Sequence, residues 1–274
     1  MNSDNQAYTP EVIKFCKKYN IRQYNYVGTL YSDSENKVKQ FLMKFFSLRD
    51  IRYYKKSKTF VKTVHVLEQM KKSGVLDAKV IPVGLDFDVI PEISDTKEEC
   101  RKELELPLNK NILLYVGRLA EYKKPLDAID MLTMLSDDFY LVAIGNGELK
   151  NDFLEKAEKS EVISRIKYIE SIPNAEIHKY YKAADCFINF NPQEIFGMSI
   201  LEALYQQCPV VARHAPGPDT IILNEETGFL CDTIEEMSEM VQKINSDMGI
   251  RGKKRVEKHF SWKAASEGFL EDYI

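Results

Sequence analysis

From residue 111 onward the chain alternates between two hydrophobic rhythms. Short apolar runs, NILLYVG (111–117), FYLVAIG (139–145), RIKYI (165–169), DCFINF (185–190), PVVAR (209–213) and GFL (228–230), read as buried strands. Between them lie segments with helical spacing. In KKPLDAIDMLTML the apolar Leu126, Ile129, Leu132 and Leu135 recur at three-residue steps. LKNDFLEKAEKS, PNAEIHKYYKAA, SILEALYQQ and a long helix over 234–244 continue the series. Strands alternating with helices of this length predict βαβ units, a parallel sheet and helices on both faces. Right-handed crossovers make that a doubly wound α/β domain.

The first third of the chain is less regular but similar in kind. YNYVG (24–28), TFVKTV (59–64) and KVIPVG (79–84) are candidate strands, and VLEQMKKSG is a helix closed by Gly74. Periodicity is lost across VIPVGLDFDVIPEISD, which carries two Pro and reads as a connection. The expected division is therefore a partial N-terminal α/β domain and linker over 1–95, followed by a doubly wound domain over 96–274 that includes the last helices.

Charge changes the picture in one place. The 274 residues carry 38 Lys/Arg against 42 Asp/Glu, a net of −4 that argues against a nucleic-acid coat. Yet residues 37–72 hold eleven Lys/Arg and two Asp/Glu, a local net of +9. Here KQFLMKFFSLRDIRYYKKSKTF interleaves cations with aromatic and aliphatic residues. Such a segment suits an anionic membrane surface, or equally a helix with one packed and one solvated face. The five Cys (Cys16, Cys100, Cys186, Cys208 and Cys231) form no C-x-x-C pair and read as reduced thiols, with Cys186 and Cys208 buried in apolar runs. No apolar run approaches the roughly 18 residues of a membrane span, and the N-terminus lacks a signal pattern. A cytoplasmic protein, held at most peripherally at the inner face of a membrane, is the expectation.

In open α/β sheets ligands sit at the carboxyl ends of strands, so the strand-to-helix loops are where chemistry is sought. After the strand at 111–117 come Gly117, Arg118 and Lys123: a glycine, a planar phosphate-matching fork and a mobile point charge. Gly145-Asn146-Gly147 is an incomplete dinucleotide fingerprint, which disfavours a nicotinamide dehydrogenase. The richest loop is NPQEIFGMSILE (191–202). Glu194 stands just before a helix whose start at Gly197–Ser199 offers free amides and a positive dipole end, a seat for a diphosphate. Glu202, among Leu201, Ala203 and Leu204, is a carboxylate that needs a partner. A fourth loop, APGPD (215–219), follows PVVAR.

Taken in order, VGRLAEYKKPLDAI, VAIGNGELKNDF, AEIHKYYKAADCFINFNPQEIFGMSILEALYQQCPVVA and GPDTIILNEETGFL resemble the donor-nucleotide domain of the retaining GT-B glycosyltransferases of family 4, the glycosyl transferases group 1. The likeness runs from about residue 75 to the C-terminus, and HFSW (259–262) is similar to the family's final helical segment. The resemblance implies a GT-B fold and transfer of a sugar, with retention, from a nucleoside-diphosphate sugar to a hydroxyl of a surface glycan or lipid-linked acceptor. It implies that Arg118 and Lys123 neutralise the leaving diphosphate and that Glu194 holds sugar hydroxyls. Phe196, Gly197 and Met198 would line the sugar and phosphates, with Gly117, Gly145 and Ser199 also on the donor. Glu202 would grip the ribose, and Ile172 would lie against the base, for which uridine is favoured. It implies no metal and no cofactor, so the D-x-D of Asp86 and Asp88 is read as part of the linker.

The resemblance is incomplete at the start. The family's opening strand and Gly-rich loop have no counterpart, and its first-domain His is absent from YNYVGTLYSD. A shortened first domain leaves a second reading open: a non-catalytic donor-domain fragment or the binding subunit of a transferase. A nucleotide-sugar epimerase is a third. Of the four His, only His214 stands near the expected cleft, and Trp262 is expected to anchor the last helix.

Overall fold

The computed structural model describes residues 2–3, 8–30 and 37–270. The last three residues of YNYVGTLYSD, and residues 1 and 4–7 of the opening MNSDNQAYTPE, lie outside those described. The chain divides into two compact units, one running to Val83 and resumed from Ala265, the other Gly84–Ala264.

In the first unit, β1 (Asn2–Ser3), α1 (Thr9–Lys18), β2 (Tyr24–Val27), α2 (Lys37–Tyr54), β3 (Lys58–Val61), α3 (Val64–Lys72) and β4 (Lys79–Val80) follow in order. Among the described residues the strands pair in parallel as β1-β2-β3-β4. The Thr63 side chain accepts from the Val66 amide to start α3, and Gly74, at φ 81°, ends it as its sequence suggests. Val27, Val61 and Met70 are fully buried at the centre of this unit's core.

The second unit contains α4 (Lys97–Glu103), β5 (Asn111–Val116), α5 (Pro125–Met134), β6 (Phe139–Ile144), α6 (Lys150–Lys159), β7 (Ile166–Ile169), α7 (Asn174–Ala183), β8 (Cys186–Asn189), α8 (Met198–Tyr205), β9 (Val210–Arg213), α9 (Pro218–Ile221), β10 (Gly228–Cys231), α10 (Ile234–Met240), α11 (Ser246–His259) and the start of α12 (Trp262–Leu270). Its strands lie parallel in the order β10-β9-β8-β5-β6-β7. Each strand expected from residue 111 onward is present, because inward-facing Leu113, Leu141, Ile188 and Val211 bury under helices on both faces. The order reverses at β5, which has β6 on one side and β8 on the other. That reversal opens a crevice between the loops after β5 and β8.

Three expectations need correction. The boundary expected near residue 95 falls at residue 84, because the connection packs on the second unit. Leu85 exchanges backbone hydrogen bonds with Phe260 (2.7 Å) and Trp262 (2.9 Å), Phe87 stacks on Tyr205 at 4.7 Å, and Gln206 donates to the Pro91 carbonyl at 2.8 Å. The domain expected to run to residue 274 ends at Ala264, since Phe269 of α12 packs edge-on against Tyr26 (5.4 Å) and Phe60 (5.0 Å) of the first unit. Trp262, expected as the anchor of that helix, is 64% exposed, and Phe269 supplies the contact instead.

Candidate donor site at the strand-order reversal

The loop after β8 is built by two buried asparagines. The Asn189 side chain accepts from the Asn191 amide at 3.0 Å, and the Asn191 side chain accepts from the Gln193 amide at 3.0 Å. Both asparagines are under 10% exposed, so these bonds form away from competing water. The free amide group of Asn191 then donates to Glu194 Oε2 at 3.1 Å. The Glu194 carbonyl accepts from the Gly217 amide at 2.9 Å, which ties the APGPD loop to the same point. Gly197 takes φ 95° and caps α8, a conformation that a side chain would strain. A Cβ on Gly217 would lie 2.1 Å from the Phe196 carbonyl oxygen, so close backbone packing requires this glycine.

Across the crevice, Lys123 leaves a short turn after β5 and its Nζ meets Glu194 Oε2 at 2.5 Å. The lysine side chain is 24% exposed and the carboxylate 12%. Asn191 and Lys123 thus converge on one oxygen of Glu194. Arg118 is placed differently: it is 66% exposed and reaches Glu148 at 3.5 Å. Glu202 lies one turn inside α8, where the fully buried Tyr181 donates its hydroxyl to Glu202 Oε2 at 3.1 Å. Burial pushes the Glu202 carboxyl above its usual range, and the Tyr181 bond opposes part of that rise. Of the four charged residues expected to converge, the structure joins Lys123 and Glu194 directly. Arg118 and Glu202 are each held by another protein group.

The glycines separate into two kinds. Gly145 has φ 148°, and a Cβ there would sit 1.9 Å from the Gly117 carbonyl oxygen; one on Gly147 would sit 2.3 Å from that of Leu119. The contact between the β5 and β6 loops demands both. Gly117 differs, because a Cβ would meet nothing nearer than the Tyr115 ring at 3.5 Å. Its missing side chain is not required by the protein's own packing. Asn146 and Lys150 both bond Glu170 (2.8 and 2.6 Å), which fastens the β6 loop to the end of β7, and half-buried Ile172 follows. Met198, 40% exposed, and Ser199 open α8, and Phe196 is buried beneath them.

The remaining candidates have local roles. Asp86 accepts from the Asp88 amide at 3.1 Å, closing a turn. His214 Nδ1 bonds Asp219 at 2.8 Å, and His178 is buried, its imidazole pushed toward the neutral form by burial. Among the described residues no three His, Cys, Asp or Glu are grouped to hold a metal. Sequence reasoning gave Glu194 and Glu202 their places but no role to Asn191 or Tyr181, which position them. A buried amide at a strand end, followed three residues later by an acid, was the available signal.

A six-stranded parallel sheet, reversed at β5 and carrying a charged pair at that crevice, defines a doubly wound α/β protein with a switch-point site. The chain belongs to the glycosyl transferases group 1, whose family model matches residues 96–257. It is 31% identical over 163 residues to the alpha-monoglucosyldiacylglycerol synthase of Streptococcus pneumoniae, covering 57% of this chain and 36% of that protein. In fold it is GT-B-like. Sucrose-phosphate synthase of Thermosynechococcus elongatus superposes with a TM-score of 0.81 at 18% identity, covering 99% of this chain and 71% of the other. HepE of Anabaena, solved in complex with UDP, gives 0.77 at 15% identity, covering 97% and 81%. The matches to curated relatives span between 34% and 53% of those proteins' own lengths.

Proposed function

We propose that the chain is the donor-binding part of a retaining family 4 glycosyltransferase that moves a sugar from a nucleoside-diphosphate sugar, UDP-linked by preference, to a hydroxyl of a surface glycan or lipid-linked acceptor. The observation that carries this reading is the Lys123–Glu194 pair, 2.5 Å apart at the strand-order reversal beside the start of α8. A donor brings a diphosphate that can take over the lysine and sugar hydroxyls that can donate to the glutamate. Both charges of the pair then find new partners in one ligand. In this reading Lys123, Arg118 and the α8 amides at Met198 and Ser199 stabilise negative charge on the departing diphosphate as the sugar–phosphate bond breaks. The acceptor oxygen bonds the anomeric carbon on the face the diphosphate leaves, and no protein nucleophile is assigned. Gly117 and Gly145 admit the phosphates, Phe196 and Gly197 bound the sugar, Glu202 takes the ribose and Ile172 the base. A metal has no part.

The family membership, and relatives that include an alpha-monoglucosyldiacylglycerol synthase, support this class of substrate. A nucleotide-sugar donor fits a cytoplasmic site of action, and among the described residues no helix is long and apolar enough to cross a membrane. Calorimetric titration with UDP and UDP-sugars, and transfer of labelled sugar to lipid and glycan acceptors, test it. Lys123→Ala is expected to weaken UDP binding at least about tenfold, and Glu194→Gln to lower transfer about a hundredfold or more. Unchanged transfer in either variant would remove the site. The absence of the family's first-domain His from YNYVGTLYSD favours one second reading, a nucleotide-binding module without turnover. Tight UDP binding with no transfer to any acceptor would select it.

A further inference from the structure

Helix α2 is apolar on two faces. One face, with Ser47, Ile51 and Tyr54, is buried in the first unit's core. The other carries Val38, Phe41, Phe45 and Leu48, spaced three, four and three, which sets them along one side of the helix. They are 68%, 71%, 60% and 54% exposed. The helix of a water-soluble protein keeps a single apolar stripe, because a second one in water costs the hydrophobic free energy the first one gains. Cations border this stripe: Lys44 and Arg52 are exposed, and Lys55 and Lys56 follow the helix end. The single acid of α2, Asp50, is fully buried and bonded to Arg49 at 2.8 Å. Exposed α2 side chains therefore present apolar groups and positive charge with no negative charge among them. The neighbouring helix α1 adds Phe15 and Tyr19, more than half exposed among Lys14, Lys17 and Lys18, with its one acid, Glu11, at the opposite end of the helix in the first turn.

We propose that the outer face of α2 docks on an anionic phospholipid surface. Phe41, Phe45 and Leu48 enter the boundary between headgroups and acyl chains, while the lysine and arginine heads stay with the lipid phosphates. Charge selects this occupant over a second copy of the chain. A two-fold contact through the stripe would set Lys44 and Arg52 of one copy near those of the other, whereas a surface of lipid phosphates neutralises them. The proposal supplies the acceptor side of the preceding reading with its location, but it is read without donor or acceptor present and so stands or fails separately.

The test is co-sedimentation of the 274-residue chain with vesicles of phosphatidylcholine alone or mixed with phosphatidylglycerol. Binding to the mixed vesicles, weakened by salt, is expected. Phe41→Ser/Phe45→Ser should lower it at least about tenfold through lost apolar burial. Lys44→Glu/Arg52→Glu, which leaves the apolar stripe intact, should lower it about as much and erase the preference for phosphatidylglycerol. Far-UV circular dichroism checks folding; where the phenylalanine variant loses helix, the charge variant decides alone. No sedimentation with mixed vesicles at low salt, equal binding to both vesicle types, or binding unchanged in a folded variant overturns the proposal. So does a dimer in the ultracentrifuge that Phe41→Ser/Phe45→Ser dissociates while no vesicles bind.

Discussion

Breaking the Lys123–Glu194 pair from each side in turn should cost unequal amounts of stability. An ion pair in water contributes about 0–1 kcal/mol, whereas removing one partner of a fully buried pair costs about 3–5 kcal/mol. Side-chain exposures of 24% and 12% put this pair between those limits. Lys123→Met leaves the less exposed Glu194 carboxylate with the Asn191 amide as its remaining side-chain donor, so a loss of about 2 kcal/mol is expected. Glu194→Gln keeps an oxygen that still accepts from Lys123 and Asn191, and the lysine can turn toward water; a loss of about 1 kcal/mol follows. In the double variant no carboxylate is stranded, so the total should fall short of the sum by about 1 kcal/mol or more. Urea unfolding of the four proteins measures the cycle. Thermal unfolding gives a second reading, at about 2–4 °C per kcal/mol for a unit of this size. Additivity within about 0.5 kcal/mol would refute the contact, because residues that do not touch add to that accuracy.

Gly117→Ala should change stability by no more than about 1 kcal/mol yet weaken UDP binding at least about tenfold. Gly145→Ala, whose Cβ would lie 1.9 Å from the Gly117 carbonyl oxygen, should destabilise the fold by about 2–4 kcal/mol; urea unfolding and calorimetry separate the two effects. Asn191→Ala, read by steady-state kinetics on purified chain, should lower kcat about tenfold or more with little change in the donor KM. Asn191→Asp should also move the pH profile, because a second carboxylate beside Glu194 favours its protonated form. For Glu202 the sign follows from burial. A carboxyl held above its usual range binds its proton more tightly in the folded state, so its contribution is greatest at low pH and is lost as pH rises through that raised value. Glu202→Gln, still able to accept from Tyr181, should flatten that part of the stability–pH curve while weakening binding of the intact nucleotide.

How much of this was legible depends on whether a residue's role is local. The βαβ alternation could be read because each strand carries its own apolar run: Leu113 or Val211 is buried by a layer that any such strand attracts. The start of α8 was legible for the same reason, since Gly197 and the residues after it form one local motif. The unit boundary was not. Leu85 joins the second unit by bonding Phe260 and Trp262, and α12 returns to the first unit through Phe269, both contacts between residues far apart in sequence. The partners of the acids were hidden likewise: nothing local to Glu202 indicates Tyr181, and nothing local to Glu194 indicates Lys123. Helix α2 is the instructive failure. Its mixture of cations and aromatics fits a packed helix and a surface-binding helix alike, and only the fold shows that Ile51 and Tyr54 face inward while Phe41 and Phe45 face out.

Each candidate charge in the site has a protein partner: Arg118 has Glu148, Lys123 has Glu194, and Glu202 has Tyr181. Binding is therefore an exchange, and only the difference between old and new partners drives it. A bare nucleoside diphosphate offers Lys123 a better partner but leaves Glu194 as a carboxylate beside a polyanion, with Asn191 alone to hold it. A nucleotide sugar completes both sides of the exchange, because its hydroxyls donate to the glutamate that the lysine has released. The sugar should thus add more affinity to the wild-type chain than to Glu194→Gln, in which no carboxylate is stranded and bare UDP should bind more tightly than it does to wild type. Calorimetry on UDP and UDP-sugar with both proteins measures the four affinities. Equal gain from the sugar in the two proteins would mean that Glu194 does not receive it.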